Sequence, residues 1–355
     1  MANKVKVIIL YNKLFHYRIP IWNLLAERCD LTVTYSEGNG NIPDGIDCKF
    51  KVISLPAWSY KDRLVIQKAN IRKLVSNYDV AIAYGDIAWL KYSTLPWFNR
   101  TKVIYHTLGV SASYTKGYDS NPHWDKIRKF FYSKADALAF YTQYPIDKYA
   151  KMGIPRERMF EAPNTVKVED VDCSRERNSL LFIGTLYKEK GLQNLLDTYA
   201  GLKKRHNMPI LNIIGGGPDY NIIKEWICGH NLQDDIILHG AIYDPRQKAC
   251  FFSQALACIS PLQAGLSVLE SMGYGVPFIT TRNAITGGEI FNIHDKVDGV
   301  LMDSIDQLTE VLEDIYINPK KYCEMGKQAK NFYLNNRTPQ HMADGLWKAI
   351  QYVLK

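Results

Sequence analysis

Short apolar runs alternate with stretches in which apolar residues recur every three or four positions, from residue 5 to the end of the chain. The runs at residues 5–10, 31–35, 50–55, 80–84, 103–106 and 137–140 have the length and the continuous apolar character of buried strands. Helical spacing fills the intervals at 20–29, 62–75, 88–98, 124–133 and 146–152, with Pro20 suited to a first helical position. Such regular alternation predicts a parallel, doubly wound sheet. Residues 163–178 then turn polar and charged, which marks a domain boundary.

A second series follows the boundary. Strands are expected at 180–184, 210–214, 236–239, 256–259, 278–280 and 300–302, with helices at 192–205, 222–228, 246–252 and 266–272. Helices at 305–317, 320–334 and 342–354 close the chain. The expected fold is therefore α/β, with two doubly wound Rossmann-like domains facing across a cleft. Residues 1–170 form the first, residues 171–335 the second, and a C-terminal helix within 336–355 packs back toward the first. Ligands of such sheets sit at the carboxyl ends of the strands.

Composition narrows the class. The 355 residues are 46% hydrophobic and 23% charged, as in ordinary globular domains. No run of eighteen apolar residues occurs, so no transmembrane helix is expected. Residues 1–10 place basic residues ahead of an apolar run, but the run is short and alternates like a first strand. The seven cysteines are scattered with no Cys-x-x-Cys, which predicts reduced thiols and no zinc site. The net charge of +8 is uneven: residues 1–170 hold 25 Lys and Arg against 16 Asp and Glu, leaving 19 against 20 for the rest. A basic first half suits an anionic lipid surface or a phosphorylated substrate. Two aromatic–basic stretches lie within it, at 58–63 and 124–134. No nucleic-acid-binding module is recognisable.

The chemistry concentrates in the second half. A strand ends in Gly184-Thr185-Leu186-Tyr187-Lys188-Glu189-Lys190-Gly191. Another ends in Gly215-Gly216-Gly217-Pro218, and a third is followed by Leu262-Gln263-Ala264-Gly265-Leu266-Ser267, with Glu270 five residues after Gly265. Gly275-Val276-Pro277 and Gly287-Gly288-Glu289 come next. A glycine-led helix start offers free amides and a positive dipole end, which suits a phosphate. Lys190 adds a cation in the first turn of a helix, where like charge calls for a reason. A carboxylate such as Glu270, on a helix with apolar neighbours, needs a hydrogen-bonding partner.

This order of motifs resembles the nucleotide-sugar-binding domain of GT-B glycosyltransferases of the family 4 retaining type (glycosyl transferases group 1). The likeness is good over about residues 178–335 and looser in the first half, through His16-Tyr17-Arg18 and the loop after His106. It implies a retaining, metal-independent transferase that moves a sugar from a UDP-sugar or GDP-sugar to a glycan or lipid-linked acceptor, in bacterial surface polysaccharide synthesis such as lipopolysaccharide or capsule. No cofactor is implied. The expected location is cytoplasmic, or peripheral on the inner membrane face.

The same resemblance distributes the roles. His106, Lys190 and Glu270 would be catalytic. Gly184, Thr185, Lys190, Gly216, Gly217, Gln263, Gly265, Leu266, Ser267 and Glu270 would hold the donor, with Glu270 on the ribose. His16, Tyr17 and Arg18 would meet the acceptor. Two positions depart from the pattern: Leu262 stands where the family has an acid, with Gln263 beside it, and Thr185 stands where an Arg is common. Lys188 or Arg18 would then supply the missing cation. Two other readings compete: an epimerase of similar fold using Asp86 and Glu289, and a non-catalytic nucleotide-sugar-binding subunit of a transferase pair.

Overall fold

The computed structural model describes residues 4–36, 47–60, 64–97, 100–113, 117–170 and 176–355. The chain divides into two compact units: residues 1–111, 119–166 and 338–355, and residues 112–118 and 167–337.

The first unit is built on β1 (Lys6–Leu10), β2 (Asp30–Tyr35), β3 (Lys51–Ser54), β4 (Val80–Tyr84), β5 (Lys102–Thr107), β6 (Ala137–Phe140) and β7 (Met159–Glu161). These form one seven-stranded sheet in the order β3-β2-β1-β4-β5-β6-β7, with every pair parallel. The chain reverses direction of travel between β1 and β4, which opens a crevice at their carboxyl ends. Successive residues of β1 serve opposite cores. Val7 and Ile9 join Trp22, Leu346 and Ile350 on one face, while Ile8 and Leu10 join Tyr92 and Tyr149 on the other. Both faces are covered, which is why the strands read as unbroken apolar runs. The Pro339–Leu354 helix supplies part of the first of these cores, and Pro339 opens it behind a Thr338–His341 capping box.

The second unit contains β8 (Ser179–Ile183), β9 (Ile210–Ile214), β10 (Ile236–Gly240), β11 (Ala255–Ile259), β12 (Phe278–Thr281) and β13 (Gly299–Met302). The sheet order is β10-β9-β8-β11-β12-β13, again wholly parallel, with its reversal between β8 and β11. Leu180 and Phe182 face one core, Leu181 and Ile183 the other. The fold class is thus the one the periodicity predicts.

Two helical expectations are corrected. Within 62–75, Leu64–Gln67 is a strand paired antiparallel with Ala57–Tyr60, and only Ile71–Val75 is helical. The adjacent β-branched Val65 and Ile66 pair across to Ser59 and Trp58, and that packing outweighs a weak helical period. Residues 62 and 63 lie outside the described residues. Within 88–98, the helix is only Leu90–Ser93, followed by a 3-10 turn at Leu95–Trp97, because Pro96 has no N–H to continue it. Residue 98 lies outside the described residues, as do 61–63 of the first aromatic–basic stretch and Cys173.

Candidate active site

A cavity of about 990 Å³ in the second unit opens at the carboxyl ends of β8 and β11, where the sheet order reverses. Three segments supply most of its lining, with Ala112 beside them. The first follows β8 and contributes Gly184, Thr185, Tyr187, Glu189 and Lys190. The second follows β11 and contributes Gln263, Gly265, Leu266, Ser267 and Glu270. The third follows β12 and contributes Ile285, Thr286, Gly287 and Glu289. A short parallel ladder between Gln263–Ala264 and Ile285–Thr286 ties the last two together.

Lys190 ends the 3-10 turn Lys188–Lys190 that leads into the Leu192–Lys203 helix. Its side chain runs back beneath the Gly184 loop and is only 9% exposed. The backbone at position 184 has φ +141°, which calls for glycine, and a Cβ there would push the flexible Lys190 ammonium from its place. Among the described residues the ammonium has no hydrogen bond and no ion pair. It lies 5.9 Å and 5.8 Å from the Phe182 and Tyr187 ring centroids. Burial lowers its pKa from 10.5 to about 8. A buried cation with no anion among the described residues has the chemistry to receive one.

The Leu266–Gly273 helix begins at Gly265 with no side-chain cap, so its first amides are open to the cavity. A Cβ on Gly265 would meet nothing within 4 Å, so no described neighbour demands glycine here. Glu270, one turn further on, is paired with Lys248 of the Pro245–Gln254 helix. On the facing wall, the Glu289 carboxylate accepts from the Gly287 amide at 2.9 Å, and Thr286 Oγ1 accepts from the Gly288 amide at 3.0 Å. Glu289 opens a 3-10 turn and is 6% exposed.

Leu262 turns away from the cavity lining and packs against Gly191, while its amide donates to the Lys190 carbonyl at 3.2 Å. Gln263 takes the lining position, and its buried Oε1 has no partner among the described residues. Gly216 and Gly217 do not line this cavity. A Cβ on Gly217 would strike the Leu186 backbone, so the glycine turn shapes the loop after β8 from behind. Lys188 is exposed and outside the lining, which removes it as a replacement for the missing arginine.

The remaining sequence-selected residues lie in the first unit. Arg18 is not a surface cation. It is 3% exposed, donates to Asn164 Oδ1 and Met342 Sδ at 2.8 Å each, and sits 5.2 Å from the Tyr141 ring centroid. It anchors the closing helix and is no stand-in for the arginine either. His106 has no exposed surface and packs edge-on to Tyr141 at 4.6 Å. Burial, and then the Arg18 charge, hold its pKa well below the ordinary value, so the imidazole is neutral. For His106 to touch a sugar, the surrounding tyrosines must part. His16 is exposed and Tyr17 half-buried, with ring centroids 5.7 Å apart. Asp86 is exposed and accepts from the Ala88 amide at 2.9 Å, as a turn residue does.

Sequence reasoning missed Lys248, because a lysine twenty-two residues from its carboxylate carries no local signal. It also missed the Tyr11–Tyr141 hydroxyl pair at 2.6 Å beside His106. Among the described residues, no group of three or more His, Cys, Asp or Glu could hold a metal ion.

Comparison with known proteins gives this site its context. Residues 168–332 match the model of glycosyl transferases group 1. The alpha-monoglucosyldiacylglycerol synthase of Streptococcus pneumoniae is 26% identical over 219 residues, 57% of this chain and 48% of that protein. The GDP-mannose-dependent alpha-(1-6)-phosphatidylinositol monomannoside mannosyltransferase of Mycolicibacterium smegmatis is 23% identical over 228 residues, 57% of this chain and 58% of that protein. The chain thus matches about half the length of these curated relatives. Among solved structures, Anabaena HepE in complex with UDP superposes with a TM-score of 0.72 at 14% identity, covering 98% of this chain and 100% of that one. Residues 168–332 are therefore similar to glycosyl transferases group 1, in a chain with the fold of the GT-B glycosyltransferases.

Proposed function

We propose that the chain is a glycosyltransferase that moves a sugar from a nucleotide-sugar, UDP- or GDP-linked, to a glycan or lipid-linked acceptor of the cell surface. The observation that carries the reading is Lys190: a desolvated ammonium without an anion among the described residues, on the wall of a cavity that also offers open helix amides and Glu270. The donor's diphosphate would take Lys190 and the amides of Gly265, Leu266 and Ser267. Glu270 would accept from the ribose hydroxyls, and the sugar would reach Gln263.

In the transfer, the bond from the sugar's anomeric carbon to the diphosphate oxygen breaks, and the bond to the acceptor oxygen forms. Charge grows on the diphosphate, where Lys190 and the helix start are already placed, so they stabilise the transition state more than the ground state. The departing phosphate oxygen takes the acceptor hydroxyl's proton on the same face, which retains anomeric configuration without a protein nucleophile. Lys190 and the amides neutralise the diphosphate with no resident metal. A thermal-shift panel of UDP, GDP, CMP and TDP sugars tests the binding half of this reading. A rise of several degrees with one UDP- or GDP-sugar, absent in Lys190→Met and Glu270→Ala, is expected; no response to any nucleotide contradicts it.

A lipid-linked acceptor is favoured by one further feature. On the His123–Tyr132 helix, Trp124, Ile127 and Phe130 recur at three-residue steps and are 44%, 43% and 56% exposed. Exposed Lys126 flanks them, and the Lys134 ammonium lies 5.8 Å from the Phe130 ring centroid. We propose that this apolar stripe with a basic margin rests on an anionic bilayer. No helix among the described residues is long and apolar enough to cross a membrane. Co-sedimentation with phosphatidylglycerol vesicles, weak with phosphatidylcholine and lost in Trp124→Ser/Phe130→Ser, is the expected result; equal recovery of wild type and variant overturns it.

A further inference from the structure

Lys248 lies outside the cavity lining, on the helix that follows β10, yet it meets the one acidic side chain of the helix that begins at Gly265. The two side chains are 20% and 13% exposed, so both have surrendered most of their hydration. The Lys248 ammonium binds Oε1 of Glu270, and Oε2 has no partner among the described residues. We propose that Lys248 is a positioning residue of the nucleotide site: it holds Glu270 by one carboxylate oxygen and so presents the other to the two vicinal hydroxyls of a ribose. This rests on the proposed nucleotide-sugar site and names how that site reads the sugar of the nucleotide.

The physical case has two parts. A largely buried carboxylate with no cation beside it swings toward solvent, and there it loses its use as a double acceptor. Lys248 prevents this. It also divides the labour between two lysines, Lys190 buried and Lys248 half-buried. Lys248 is spent on Glu270, whereas Lys190 has no acidic partner among the described residues and stays available to the diphosphate. A pair that only stabilised the fold would contribute equally whatever the ligand, and most partly buried pairs contribute little. A positioning lysine instead changes how strongly the site tells a ribonucleotide from one without hydroxyls.

The test measures calorimetric affinities of wild type, Lys248→Met, Lys248→Gln and Lys248→Arg for UDP and GDP, their 2′,3′-dideoxy counterparts, and pyrophosphate. Wild type should favour the ribonucleotide over the dideoxy form by about tenfold or more, the worth of hydrogen bonds to a charged acceptor. Lys248→Met and Lys248→Gln should lose most of that preference while keeping wild-type affinity for the dideoxy form and for pyrophosphate. Lys248→Arg should retain the preference. Because the readout is a ratio within folded protein, a loss of stability leaves it intact. Unchanged ribose preference in both Met and Gln variants overturns the inference. Equal weakening of ribonucleotide, dideoxynucleotide and pyrophosphate also overturns it, since Lys248 would then touch phosphate. If wild type binds neither nucleotide, the failure belongs to the proposed function; if Glu270→Ala loses ribose preference and Lys248→Met does not, it belongs to Lys248 alone.

Discussion

Replacing Lys190 with methionine should stabilise the ligand-free protein while destroying the proposed nucleotide site. The lowering of its pKa from 10.5 to about 8 reflects what burial costs the charged form. At about 1.4 kcal/mol per pH unit, that cost is roughly 3 to 4 kcal/mol. The Phe182 and Tyr187 rings return about 0.5–1 kcal/mol each as cation–π partners. About 2 kcal/mol of net penalty is left, and methionine fills nearly the same volume without it. For a unit of this size the gain corresponds to a rise in Tm of about 4–8 °C at pH 7. The sign follows from linkage. The unfolded chain binds this proton more tightly than the folded one, so the penalty is complete below about pH 8 and fades as pH rises toward 10.5. Differential scanning fluorimetry at pH 7 and pH 10 measures both ends. The variant should exceed wild type at pH 7, match it near pH 10, and gain nothing from UDP or GDP at either. A variant destabilised by the same amount at both pH values would show that the ammonium already has a satisfying partner and would refute the reasoning.

The same titration limits binding: diphosphate affinity of wild type should fall as pH rises above about 8, up to tenfold per unit, and Lys190→Arg should flatten that profile in calorimetry. Gly184→Ala should abolish nucleotide binding, because its Cβ displaces the Lys190 ammonium and its φ of +141° strains an L-residue; a wild-type thermal response to UDP or GDP would contradict the placement of Lys190. His106 is buried neutral, while the unfolded chain protonates it below about pH 6.5. Its share of stability is therefore lost as pH falls through that value, by up to about 1.4 kcal/mol per unit, and His106→Phe should remove that slope from urea unfolding curves at pH 5 and 7.

Much of this was legible in the sequence because doubly wound sheets write their strands as continuous apolar runs and their ligand loops as glycine turns. Gly184, Lys190, Gly265 and Glu270 come together because each lies on the loop, or the first turns of the helix, that follows a strand ending at the crevice. What was not legible depends on side-chain direction and on partners distant in sequence. Gly216 and Gly217 have the same signature as Gly184 and Gly265, yet their loop packs behind the cavity. Arg18 and His106 read as site residues from their positions after strands, but the neighbouring tyrosines and the closing helix bury both. Lys248 reaches Glu270 from a helix whose placement no local pattern specifies. The Trp124–Phe130 stripe was ambiguous for a related reason: the period shows a helix with an aromatic face but not which way that face turns.

The central claim is that the cavity after β8 and β11 binds a nucleotide-sugar and releases its sugar. Nucleoside diphosphate release from UDP- and GDP-sugars, followed with and without phosphatidylglycerol vesicles carrying a membrane-lipid acceptor extract, tests it directly. Wild type should release the diphosphate from one of these donors and label the lipid fraction, and Lys190→Met and Glu270→Ala should each reduce both by a factor of about a hundred or more. Release that persists unchanged in both variants, or its absence from wild type with every donor and acceptor, contradicts the account.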